Sequence, residues 1–249
     1  MIADFHHYEY ELCRRFLIPL LLERGLGLDG KSVLDAGCGY GGVLAGLAER
    51  FRLAEALGID LDRGMIANGR EKSPPVVVLR TGDFLAFEGG EFDGVLLRDV
   101  LEHIVDVEGA LAKAARLLKP GGFVFASFAP FLSPFGGHQH NGSGPFASVP
   151  WLHLLPESWF RGLLRFPGNS YKSGEALRAD MDTVLLTRLS LGRFRRAAAA
   201  AGLEVRYLRG YAVRPDYRLK FGLPSLRFPA IPGPGDLFCT GAEALLAKP

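Results

Sequence analysis

The segment Val33-Leu34-Asp35-Ala36-Gly37-Cys38-Gly39-Tyr40-Gly41-Gly42 constrains this chain more than any other stretch. An apolar run leads into it, and glycines at 37, 39 and 41 follow an acidic residue at 35. A helix-compatible stretch, 41–51, leads out. Glycines at that spacing let the backbone turn sharply out of a strand, and they let a ligand approach the main chain with no Cβ in the way. Taken alone, the turn fits a NAD-binding site, another nucleotide-type bed or plain architecture.

The surrounding rhythm narrows the fold. Short apolar runs at 31–37, 56–62, 75–83, the start of 92–103 and 122–128 alternate with helical stretches, among them 107–118. Lys119-Pro120-Gly121-Gly122 is a helix stop. This alternation predicts an α/β, doubly wound, mostly parallel sheet. The rhythm breaks over 129–190, where prolines, glycines, both tryptophans and three of the six histidines collect. It resumes with a helix at 191–202, a strand at 203–213 and a final strand at 236–249. The expected organisation is one domain over 1–249, with 129–190 an insertion after strand five that lies as a lid by the acceptor site.

Composition is that of a globular chain: 48% hydrophobic and 22% charged. Three scattered cysteines make neither a disulfide framework nor a four-cysteine zinc site. The first residues lack the basic and apolar regions of a signal peptide. The apolar run Phe16 to Leu22 is far shorter than the roughly 20 residues that span a bilayer. A reduced, cytoplasmic protein without a membrane segment is expected. Charge is uneven, with 14 basic and 19 acidic residues in 1–150 against 15 and 8 in 151–249. The C-terminal bias falls short of a strong nucleic-acid footprint.

Acidic residues recur where the predicted strands end. Asp60 closes the second strand, where a carboxylate accepts from two ribose hydroxyls, and Asp83 closes the third. Singly, each reads as a helix cap or turn residue; together with Asp35 they outline a ligand bed along the carboxyl edge. With "VLDAGCGYG", "GIDLD", "GDF", "FDGVLLRDVLEHI" and "LLKPGG" in succession, residues 30–128 resemble the class I S-adenosylmethionine-dependent methyltransferases of the broad small-molecule type. The resemblance implies a Rossmann-like sheet of seven strands, the last antiparallel, and S-adenosylmethionine as cofactor. It implies that Gly37, Cys38 and Gly39 line the methionine part, and that Asp35 orients the turn or the amino group. Asp60 would hold the ribose, with Leu61 beside the adenine. Asp83 and Phe84 would hold the adenine, and Arg98 would lie under the sulfonium.

Methyl transfer to oxygen needs alignment, exclusion of water and removal of a proton. Histidines suit the last task. His138 and His140, in "GGHQH" after strand five, are the candidate bases, with a metal ligand or a surface role as their alternatives. Asp99-x-x-Glu102-His103 resembles the E-x-x-E-H magnesium pattern of ubiquinone-pathway and small-RNA O-methyltransferases, with Asp in place of the first Glu. Helix capping and bracing is its favoured reading, so no metal is expected. Trp151, His153, Trp159 and Phe160 read either as a lid over a ring-containing acceptor or as the insertion's own core. His6, His7 and Tyr8, on an amphipathic N-terminal helix, either border the site or lie on the surface. The expected acceptor is a small molecule, methylated at oxygen. RNA, gripped by Arg193–Arg196 and the basic residues from Arg206 to Lys220, is one rival. A catalytically inactive cofactor-binding partner is the other.

Overall fold

The computed structural model describes residues 4–168 and 173–249. Eight strands form one sheet in the order β3-β2-β1-β4-β5-β8-β6-β7. These are β1 Ser32–Ala36, β2 Glu55–Asp60, β3 Val77–Thr81, β4 Phe92–Arg98, β5 Leu118–Phe128, β6 Glu204–Val213, β7 Leu226–Phe228 and β8 Gly241–Ala247. The first five run parallel, and β8 lies antiparallel between β5 and β6. The order reverses between β1 and β4, which is where open α/β sheets leave a crevice at their carboxyl edge.

Alternation along β1 shows how the sheet is covered. Val33 packs with Val43, Leu44, Leu47, Leu17 and Leu21, beneath α3 (Gly42–Arg50) and the N-terminal helices α1 (Phe5–Leu12) and α2 (Ile18–Glu23). Leu34 and Ala36 point the other way, into a cluster with Leu111, Ala114, Phe194 and Ala198. Those last residues belong to α5 (Val107–Leu117) and α8 (Leu191–Ala200). A strand buried on both faces therefore reads as a continuous apolar run. Between α1 and α2 the helix widens over Cys13–Leu17, where Ile18 N–H donates to the Cys13 carbonyl. Helix α4 (Arg63–Lys72), capped by Asp62, joins β2 to β3.

Three regions differ from expectation. The sheet has eight strands instead of seven, because Leu226–Phe228 adds to the outer side of β6. That strand is three residues long, largely exposed and flanked by Pro224 and Pro229, so it carries almost no sequence signal. The stretch 236–249 is a strand only from Gly241; Pro234–Phe238 forms α10, with proline at its first turn and Asp236 accepting from Gly233 N–H. The span 129–190 contains α6 (Glu157–Leu163) and the long helix α7 (Gly174–Thr187), which Ser173 caps. Residues 169–172 of that span lie outside the described residues.

The ring of Phe194 is fully buried and meets Phe128 at the end of β5, with centroids 4.8 Å apart. Phe194→Ala is expected to lower unfolding free energy by about 3–5 kcal/mol in urea titration. A loss below about 1 kcal/mol would show that this ring does not dock α8.

Candidate active site

The turn after β1 is built as its glycines require. Gly37, Gly39 and Gly41 have φ of 75°, 56° and 78°, all left-handed. A Cβ on Gly37 would come 2.2 Å from Val100 Cγ2, so the turn also presses against the residue after β4. Carboxylates hold the turn's N–H groups. Gly39 N–H donates to Asp60 Oδ2 at 2.9 Å, and Gly42 N–H donates to Glu9 Oε2 at 3.0 Å. Glu9 lies on α1, next to the His6–Tyr8 stretch that the sequence places at or near the site, and it also accepts from Tyr40 N–H at 3.4 Å.

The expected cofactor residues come together at the carboxyl edge, in different capacities. Asp60 spends one lone pair of each oxygen on backbone, on Gly39 N–H and on Asp62 N–H at 2.9 Å. A carboxylate offers about four such sites, so acceptor capacity is left for two hydroxyls. Leu61 beside it is 73% exposed, an apolar side chain with no protein cover. Asp83 is exposed and accepts from Leu85 N–H at 2.9 Å, as a turn residue does. The side chains of Cys38 and Phe84 are buried in the core, and their backbones lie in the turn after β1 and just past the end of β3, respectively. Asp35 is 2% exposed, and its Oδ1 has no hydrogen-bond partner. Arg98 is turned toward acids, pairing with Asp99 at 3.5 Å in the field of Glu9 and Asp35. Its neighbours make it a counter-ion for these carboxylates at the end of β4.

Beyond β4 the chain turns through Asp99, with a left-handed φ of 54°. Its carboxylate takes both bonds from Arg214 Nη2, at 2.7 and 2.8 Å, and one from Ser127 Oγ at 3.1 Å. Arg214 also pairs with Asp216, which Lys220 and the Tyr8 hydroxyl hold at 3.2 Å each. The Arg214 and Arg98 charges outweigh burial and keep the Asp99 carboxyl well below the usual range. With its oxygens committed to arginine, Asp99 is withdrawn from any ligand set with Glu102 and His103.

Glu102 and His103 instead meet the insertion. Ligand-capable atoms of Glu102, His103 and His138 lie within 4.8 Å of one another. His138 sits at a left-handed φ of 55°, its ring 4.9 Å from that of His103 and 5.6 Å from that of His140. A cavity of about 160 Å³ joins these three histidines and Glu102 with Phe135, Arg214, Tyr217 and Lys220. Burial, then the neighbouring imidazoles, push His138 well below its ordinary value. Burial, then Lys220 and Arg214, push His140 down to about 4. Both rings are therefore neutral at pH 7. Burial and the Asp99 charge push Glu102 up to about 8.

The remaining aromatic residues divide. Phe160 is buried in the insertion's own cluster with Phe131, Leu152, Met181 and Val184. His153 pins that cluster, its Nε2 2.6 Å from the Phe131 carbonyl oxygen. Trp159 is largely exposed, and Trp151 meets Phe238 of α10 edge-on. Most of the basic residues suggested for RNA are engaged. Arg193 grips Glu108, Arg206 pairs with Glu204, and Arg209 lies over Tyr207.

Residues 34–126 match a family model described as a methyltransferase domain. A ubiquinone biosynthesis O-methyltransferase of Thiobacillus denitrificans is 41% identical over 106 residues, covering 40% of this chain and 45% of that protein. The enzyme so named in Acinetobacter baumannii is 37% identical over 112 residues, covering 42% and 46%. The chain thus spans about half the length of the curated relatives it matches. Among solved structures, magnesium protoporphyrin IX methyltransferase from Synechocystis superposes with a TM-score of 0.57 at 18% identity, covering 100% of this chain and 90% of that one. The [4+2]-cyclase SpnF gives 0.54 at 16%, covering 94% and 80%. Such likeness at low identity speaks for the fold alone, and no described helix is long and apolar enough to cross a membrane.

Glu9, Asp35 and Glu102 share one consequence. Burial raises the first two to about 7 and the third to about 8. A carboxyl raised on folding binds its proton more tightly in the folded chain, so stability falls as pH rises from the unfolded value toward the folded one. Each group contributes about 1.4 kcal/mol per pH unit at most, worth roughly 2–4 °C. The ligand-free protein is expected to melt at lower temperature at pH 8.5 than at pH 7, a range above the one in which the lowered His138 and His140 act in the opposite sense, and Glu102→Gln should flatten that slope. A melting temperature that rises over this range would contradict these assignments.

Proposed function

We propose that the chain is a class I S-adenosylmethionine-dependent methyltransferase, a reading that the match of residues 34–126 to a methyltransferase-domain model supports, and that it methylates a small molecule at a hydroxyl oxygen. The observation that carries the reading is the cavity of His103, His138, His140 and Glu102 at the carboxyl ends of β4 and β5, just beyond Val100, which packs on Gly37. Bound at that turn, S-adenosylmethionine supplies a methyl group already activated by its sulfonium. The protein's work is to hold the acceptor in line, exclude water and take up the proton. Asp60 and Leu61 offer hydroxyl acceptors and an apolar face to the adenosine part, and Gly37 and Gly39 keep side chains out of the methionine part. In the cavity, the neutral rings of His138 and His140 accept the acceptor's proton. The insertion 129–190 acts as a lid, contributing both histidines and Phe135. The relatives' O-methyltransferase names support an oxygen acceptor. A cavity lined by histidines and Phe135 supports a small-molecule acceptor over a nucleic-acid strand. Engagement of Arg193, Arg206 and Arg214 by acids leaves the RNA reading without its continuous basic groove.

One observation favours a second reading. Two imidazoles and a carboxylate within 4.8 Å suit a divalent transition metal. Acceptors are to be found by screening hydroxylated aromatic compounds for release of S-adenosylhomocysteine. His138→Ala and His140→Ala are then expected to slow transfer by about 10²–10⁴-fold for whichever ring is the base, with cofactor affinity nearly intact. Rates should survive chelation. Loss of activity on chelation, restored by zinc or manganese, would favour the metal reading; unchanged rates in both variants would remove the histidines from the chemistry.

A further inference from the structure

Two buried carboxyl groups meet at the glycine turn with little positive charge to balance them. Glu9 is 7% exposed and Asp35 is 2% exposed. One comes from α1, outside the matched domain, and the other from β1. Glu9 lies directly on the turn, since a Cβ added to Gly39 would come 2.5 Å from its Oε1. Asp35 Oδ1 is buried without a hydrogen-bond partner. Arg98 is the cation whose field reaches both, and it is already paired with Asp99. If both carboxyls ionise, their charge exceeds what Arg98 supplies against it, so burial favours their protonated forms until a cation arrives.

We propose that Glu9 is a cofactor-site residue, forming with Asp35 a paired-carboxylate receptor for the ammonium group at the cofactor's amino-acid end. The inference rests on the methyltransferase reading above and goes beyond it by recruiting the N-terminal helix. An ammonium between the two carboxyls satisfies the orphaned Asp35 oxygen and the unused lone pairs of Glu9. It also supplies the missing positive charge. The groups facing the pair are Arg98 from β4, Asp60 from β2, Cys38 in the turn, and the N–H groups of Tyr40 and Gly42. Beyond Arg98 lie Tyr8 and Asp99. Burial keeps both carboxyls raised to about 7 in the free protein, so an arriving cation draws protons off them.

The test is calorimetric titration of the full chain with two ligands, S-adenosylhomocysteine and 5′-methylthioadenosine, which lacks the amino-acid end. Glu9→Gln keeps the side chain's length and an oxygen for Gly42 N–H. It is expected to weaken S-adenosylhomocysteine by about 10–100-fold and to leave 5′-methylthioadenosine within twofold. Proton release on binding S-adenosylhomocysteine at pH 7, read from buffers of different ionisation enthalpy, should diminish in the variant. Asp35→Asn should give the same ligand-selective loss. Equal weakening of both ligands would make Glu9 a packing residue and overturn the proposal. Unchanged or tighter S-adenosylhomocysteine binding would overturn it as well, the latter marking Glu9 as a competitor for the bed. A native protein that binds neither ligand would overturn the cofactor reading itself.

Discussion

The geometry at the carboxyl edge depends on a left-handed glycine turn held by main-chain carbonyls and by two carboxylates from other elements. Gly37, Gly39 and Gly41 take left-handed φ values, which swing the chain from β1 into α3 within five residues. Turned this way, the N–H groups of Gly39 and Gly42 point away from secondary structure and need acceptors. Asp60 on β2 and Glu9 on α1 provide them, so the turn ties together a neighbouring strand and the N-terminal helix. Substituting any of the three glycines strains the backbone, and at Gly37 it also collides with Val100.

A second set of charges organises the far side of the crevice. Asp99 leaves β4 in a left-handed conformation and is clamped by Arg214, which arrives from beyond β6. Asp216 and Tyr8 extend the clamp to the N-terminal helix. The same helix thus touches the glycine turn through Glu9 and the C-terminal segment through Tyr8, closing over both halves of the edge. Commitment of Asp99 to arginine frees Glu102 and His103 to face the insertion, where His138 meets them. The chemistry proposed here follows from that division: one acid neutralised as an ion pair, another buried and protonated beside imidazoles.

Much of the sheet and of the glycine turn is legible in the sequence because both depend on short-range chemistry. The glycine spacing, the acids at strand ends and the buried alternating runs each state their own structural reason, and the parallel sheet follows from them. Long-range partners were not legible. Nothing in "HHYEYEL" says that Glu9 rather than Glu11 will reach the turn, because that choice depends on the docking of α1 across α3. The pairing of Asp99 with Arg214, 115 residues apart, has no local signature either. Helix α7 did leave a signal: Ser173 as cap, then Leu177, Met181, Val184 and Leu185 at helical spacing. The surrounding prolines and glycines masked it. Phe84 carries two signals at once, since an aromatic ring next to a strand end suits a ligand and the core alike, and its side chain packs in the core.

The central claim is that the β1 turn and Asp60 form a bed for S-adenosylmethionine or its product. Calorimetric titration with S-adenosylhomocysteine, of the native chain and of Asp60→Ala, tests it most directly. Roughly micromolar binding is expected of the native protein, weakened about 10–100-fold in the variant, the scale of lost charge-assisted hydrogen bonds. A folded native protein that does not bind, or a variant that binds as well as the native chain, would contradict it.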